Sequence, residues 1–133
     1  MNLKLLYTLT GTAVVEKLGK VQGGERIKIE FRGQSGADSP IEGKAHGSSW
    51  ALIGPLGPGE ANAVQELITP AGERLVVELR GYSIGGNGAV MDIRASGTIR
   101  SSAARFTDLN GRLALVVHTV APDDAVSIHA YEF

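Results

Sequence analysis

The sequence contains no cysteine. That excludes disulfides, thiolate nucleophiles and cysteine-ligated zinc, and it removes the covalent signature common in exported domains. Basic charge is not in excess either: 13 Lys and Arg stand against 14 Asp and Glu, for a formal net charge of −1. Such a balance cannot neutralise a row of phosphates, so nucleic acid is not an expected partner. Long apolar runs are missing as well. None approaches the roughly 20 residues that span a bilayer, and Met1–Thr8 lacks the apolar region and small-residue cleavage site of a leader. These absences predict a cytoplasmic protein without membrane association.

Sequence motifs for cofactors are also lacking. The glycine-rich stretch Gly81–Gly88 has neither dinucleotide-binding spacing nor a P-loop Lys-Ser/Thr, and it reads as a flexible loop. His46, His118 and His129 are isolated, with no HxH or HExxH spacing. No Gly-x-Ser-x-Gly nucleophile elbow is present. No cofactor and no metal are expected.

What remains is a chain of 133 residues, enough for one domain over 1–133 with a single core. Its 18 glycines are scattered between short segments rich in Val, Ile, Leu and Thr, which is the punctuation of strands and turns. Extended segments are predicted at Leu3–Lys17, Glu25–Arg32, Ile41–Gly47, Trp50–Gly54, Asn62–Thr69, Arg74–Tyr82, Ala89–Arg100, Arg112–Val120 and Ala125–Phe133. That makes eight or nine strands. Arg26–Arg32 alternates charged and apolar side chains with period two, as a half-buried strand does. Thr69–Glu73 and Ala121–Asp124 carry the Pro, Gly and Asp of chain reversals. Longer loops are predicted at Gly33–Pro40 and Gly54–Glu60, and a short helical turn at Ser101–Asp108. Successive short-linked strands must leave no open edge, so the expected fold is all-β: a closed antiparallel barrel with an interior that side chains or one small ligand can fill.

Candidate chemistry follows from strand parity. Leu113–Val120 is apolar on both faces except at His118 and Thr119, so one face should look into the barrel and the other meet a neighbouring subunit or a covering segment. A homo-oligomer is expected on that ground. Desolvation among valines keeps an imidazole neutral, which suits His118 to general-base work; the ordinary reading is a structural histidine bonded to a backbone carbonyl. Tyr7, on a Leu3-Leu5-Tyr7-Leu9 face, can orient a carbonyl or act as an acid, or simply satisfy one buried hydrogen bond. Glu78 and Arg80 sit opposite Leu75, Val77 and Leu79 in parity; they read as a solvent face, or as a lumenal pair that binds an anionic or phenolic group. In the last strand, Val126, Ile128, Ala130 and Glu132 share one face, and Ser127, His129, Tyr131 and Phe133 the other. If the first is inward, Glu132 needs a cation such as Arg80 or Arg94; if the second, His129 and Tyr131 form a polar site. Trp50 walls a pocket or fills a barrel end.

Ser39-Pro40-Ile41-Glu42-Gly43-Lys44, Trp50, Thr69–Gly81, Phe106–Arg112 and Ile128–Phe133 together resemble a family of lipocalin-like barrels catalogued as a domain of unknown function. Asn62, Val64 and Asp108 depart from its pattern. The resemblance implies a barrel with a pocket and, for some similar proteins, cofactor-independent isomerisation or cyclisation of small aromatic or polyketide-like molecules. The combined expectation is an isomerase, cyclase or lyase acting on an unsaturated carbonyl compound. His118 would move the proton, Tyr7 or Arg80 would stabilise the oxyanion, and Trp50, Glu78, Tyr131 and Glu132 would contact substrate. A non-catalytic binding barrel and a self-assembly module are the competing readings.

Overall fold

A computed structural model describes residues 2–54, 58–86 and 88–133. Eight strands succeed one another in the chain: β1 Lys4–Val21, β2 Gly24–Ser35, β3 Lys44–Ile53, β4 Gly59–Ile68, β5 Arg74–Ile84, β6 Met91–Arg100, β7 Leu113–Val120 and β8 Ala125–Glu132. Each pairs antiparallel with its successor, and β8 returns to β1, so the sheet closes as a barrel. No helix among the described residues is long and apolar enough to cross a membrane.

The period-two pattern explains the closure. Ile27, Ile29 and Phe31 are buried on β2 while Arg26, Glu30 and Arg32 are exposed, and each such apolar side chain removed from water contributes about 1.5–3 kcal/mol. Inner positions of β3 and β4 are small: Ala45, Gly47, Ser49 and Ala51, then Ala61 and Ala63. Bulkier residues from β1, β2 and β5 fill the space opposite them. Gly81 and Gly97 allow strands to approach closely, since a Cβ there would meet the Arg94 and Glu78 carbonyl oxygens respectively.

Several boundaries differ from those expected. The expected segments Ile41–Gly47 and Trp50–Gly54 merge into one strand, β3, which starts only at Lys44 and leaves Ile41–Gly43 outside it; Ser48 and Ser49 keep their pairing with β2 and β4. The expected loop Gly33–Pro40 starts later, as Gly33–Ser35 still pair in β2. Gly81–Ile84 likewise belong to β5 rather than to a loop; Asn87 of that stretch, and residues 55–57 of the Gly54–Glu60 loop, lie outside the described residues. The helical turn is a 3-10 helix, Ala104–Leu109, which buries Phe106.

The two ends of the barrel differ. The β2–β3, β4–β5 and β6–β7 connections share one end with the 3-10 helix, the plug end; the β1–β2 and β7–β8 turns lie at the opposite end, the hairpin end. The seam between β1 and β8 is uneven too, because β8 runs alongside β1 only as far as the Thr12–Ala125 pair. Beyond it the Ala13 N–H still reaches the Asp124 carbonyl (2.9 Å), and the rest of β1 has β2 as its strand partner.

Candidate functional site

Strand parity sends Val116, His118 and Val120 inward from β7, where all three are buried. His118 is 2% exposed, and neither ring nitrogen has a hydrogen-bond partner among the described residues. Burial among hydrocarbon disfavours the imidazolium and pulls the pKa down to about 4, so the ring is neutral near pH 7. Phe31 from β2 meets it edge-on, with ring centroids 6.2 Å apart and planes inclined by 62°. Among the described residues, the backbone carbonyl partner of the ordinary sequence reading is not found at either nitrogen.

A second polar contact crosses the interior. The Tyr7 hydroxyl, from β1, donates to Gln65 Oε1 of β4 at 2.7 Å, and complete burial pushes the phenol well above its ordinary pKa. The small inner residues of β3 and β4 leave room for this reach. Gly47 is one: a Cβ there would meet the Val64 carbonyl oxygen at 2.7 Å and crowd Gln65. The Gln65 amide nitrogen, by contrast, has no partner among the described residues. Tyr7 does not share a face with Leu3 and Leu5 as expected. A register shift between Leu5 and Tyr7 sets Leu5 opposite Tyr131 and Tyr7 opposite Ala130, so the face changes at the bulge.

The residues named from sequence thus separate into two groups. His118, Tyr7 and Glu132 are inside. Arg80, Glu78, Trp50 and Tyr131 are not: the first three are exposed on the outer surface and Tyr131 is half-buried on the outer face of β8, opposite Leu5 and Leu115. The lumenal alternative for Glu78 and Arg80 is corrected, because the inward positions of β5 are taken by Leu75, Val77 and Leu79. Arg80 therefore has no part in an oxyanion site beside His118 and Tyr7. Trp50, Asn62, Glu78 and Arg80 instead line an open groove of about 390 Å³ across β3–β6, and Lys28 Nζ lies 5.7 Å from the Trp50 ring centroid.

Of the two options for β8, the first holds: Val126, Ile128, Ala130 and Glu132 face inward. The cation near Glu132 is neither Arg80 nor Arg94 but Arg112, whose Nη1 stands 3.9 Å from Oε1. Glu132 pairs with Ala114 in register, and His118 lies four residues further along β7. At about 3.3 Å per residue the two groups are roughly 13 Å apart along the strand, so they do not act on one atom.

Sequence reading missed Gln65 and Phe31. The first was legible in principle, as the only amide on the Ala61-Ala63-Gln65-Leu67 face of β4. No signal marked Phe31, because its contact with His118 depends on closure of the barrel. Among the described residues no group of three or more His, Cys, Asp or Glu side chains is arranged to hold a metal.

No family model matches the chain, and no curated protein matches it. Solved structures do. A conserved protein of unknown function from Rhodopseudomonas palustris superposes with a TM-score of 0.79 at 21% identity, covering 98% of this chain and 96% of that one. A β-barrel-like protein from Acinetobacter baumannii gives 0.76 at 18% identity over 99% and 96%. An enzyme from Penicillium herquei gives 0.65 at 15% identity over 98% and 94%. These likenesses bear on the fold alone: the chain is an eight-stranded barrel, and the similar structures include proteins of unknown function and an enzyme.

Proposed function

We propose that the barrel receives a small, mostly apolar molecule bearing a carbonyl or hydroxyl oxygen, and that His118 transfers a proton on it in an isomerase, cyclase or lyase reaction that uses no cofactor. The observation that carries this reading is the bare imidazole. A buried polar group without a partner is costly, by about 1–3 kcal/mol, and a neutral ring with both nitrogens unpartnered can accept a proton at one and donate at the other. Hydrocarbon around the ring suits an apolar ligand body, and the Tyr7–Gln65 pair offers a free amide N–H for an oxygen. In an isomerisation of an unsaturated ketone, His118 would take a proton from the carbon next to the carbonyl and return it to the far end of the conjugated system, with no change in oxidation state. The Penicillium herquei neighbour, an enzyme, adds weight to catalysis on this fold.

Two observations favour a non-catalytic binding barrel. The arginine expected to stabilise a developing oxyanion is outside, and the Tyr7 hydroxyl is already engaged with Gln65. The two readings part in one experiment. Compounds copurifying with the protein are identified by mass spectrometry, then incubated with it in deuterated water. Deuterium uptake or conversion, reduced at least about 100-fold in His118→Gln, is expected for the enzyme. Unchanged retention by parent and variant alike would leave only a binder.

A further inference from the structure

Away from His118, at the plug end, a cavity of about 440 Å³ is bounded by β1, the Pro40–Ile41 segment and the 3-10 helix. Three of its properties converge. The Glu132 side chain is 8% exposed, yet its Oε2 has no hydrogen-bond partner among the described residues, and Arg112 is too distant at 3.9 Å to donate a proper hydrogen bond to Oε1. Lys4, directly opposite Glu132 in register and also lining the cavity, takes part in no ion pair among the described residues. Leu6, Ile41, Phe106 and Leu109 provide apolar wall beside these charges.

Of the other charged groups that line the cavity, the Asp108 carboxylate takes part in no ion pair among the described residues, while the two arginines are already engaged. Arg105 is bound to Glu73 (3.2 Å) and lies over the Phe106 ring, and Arg112 Nε donates to the Asp108 carbonyl at 2.9 Å. A lone amine would satisfy Glu132 but stand near Lys4. A lone carboxylate would satisfy Lys4 but face the buried Glu132 oxygen. A molecule carrying both groups avoids either conflict, and the cavity falls in the range of about 300–1,000 Å³ common for small-ligand sites. The side walls hold in place as well: Ser39 Oγ accepts from the Thr8 N–H (3.1 Å) and donates to the Ile41 carbonyl (2.6 Å), while Asp38 accepts from Thr8 Oγ1 (2.8 Å).

We infer that this cavity is a binding site for an apolar α-amino acid, with the ammonium on Glu132, the carboxylate on Lys4 and the side chain against Leu6, Ile41 and Leu109. The site is separate from the interior that holds His118. Isothermal titration of the full chain with L-phenylalanine, 2-phenylethylamine and 3-phenylpropionate tests it. Phenylalanine is expected to bind, with each of the two truncated probes at least tenfold weaker. Glu132→Gln should weaken phenylalanine and phenylethylamine alike by at least tenfold. Lys4→Ala, at an exposed position, should weaken phenylalanine while tightening phenylethylamine, whose ammonium no longer faces the lysine. Absence of binding by all three probes, either truncated probe binding as well as phenylalanine, or an unchanged phenylalanine affinity in Lys4→Ala overturns the assignment.

Discussion

His118 and Glu132 are inward residues of neighbouring strands in one hairpin, both buried and both with polar atoms that lack partners. Their surroundings nevertheless differ. Val116 and Val120 share the histidine's face, Ile128 lies opposite it and Phe31 meets its ring, and it takes part in no ion pair among the described residues. The glutamate closes the plug end, beside Arg112, Lys4 and a cavity. Parity decides that both are inside; position along the strand decides what company each keeps. In this barrel, then, the inward glutamate at the plug end is met by charge, while the histidine towards the hairpin end of the same ladder is left with hydrocarbon and whatever enters the lumen.

The sharpest way to test that contrast is pH. For His118 the folded pKa of about 4 lies below the ordinary value of 6.5, so the unfolded chain binds more protons between those values. Its contribution is fully present above pH 6.5, is lost as the pH falls towards 4, and changes little further below. The loss amounts to about 3 kcal/mol. Urea denaturation at pH 7 and pH 4 should show the parent losing that much more stability than His118→Leu, whose side chain does not titrate. Equal acid sensitivity would mean that the ring is hydrated rather than enclosed.

Tyr7→Phe probes the intermediate case, a buried polar group that does have a partner. Removing the hydroxyl strips Gln65 Oε1 of its donor, and a cost of about 1–2 kcal/mol is expected at pH 7. A denaturation midpoint within error of the parent would show that water replaces the hydroxyl. Smallest of all should be Arg80→Ala. With its side chain on the outer surface, stability should change by no more than about 0.5 kcal/mol, and the acid response assigned to His118 should be untouched. A shift in that response would bring Arg80 back into electrical contact with the interior.

Most of the barrel is legible in the sequence, for a physical reason. Ile27, Ile29 and Phe31 alternate with charges, and Thr69–Glu73 closes through a Thr69–Gly72 turn (2.8 Å) in which Gly72 takes a positive φ of 81°. Such signals are local. His118 and Glu132 are legible as members of faces, though parity alone leaves the direction of β8 open. Local signals fail where registry is set by neighbours. The bulge between Leu5 and Tyr7 separates two residues assigned to one face, and Ser48–Ser49, which look like a break, are held in β3 by pairing on both sides. The Tyr7–Gln65 and Phe31–His118 contacts join strands three apart around the ring, and no run of sequence contains them.

The uneven lengths of β1 and β8 carry one more consequence. β1 has 18 residues and β8 only eight, so closure is complete over part of the height and the remainder of β1 stands as a tongue with a bare flank. Such a flank can recruit another chain as an added strand, all the more with Val14 70% and Leu18 45% exposed on it. Its composition works against that. Glu16, Lys17 and Lys20 place charge along the tongue, and the register shift between Lys17 and Gly19, where Gly19 adopts a φ of 123°, spoils the flat template that an incoming strand would need. Protection against strand addition in this barrel is thus concentrated in a single stretch of about nine residues, where the ring is left open.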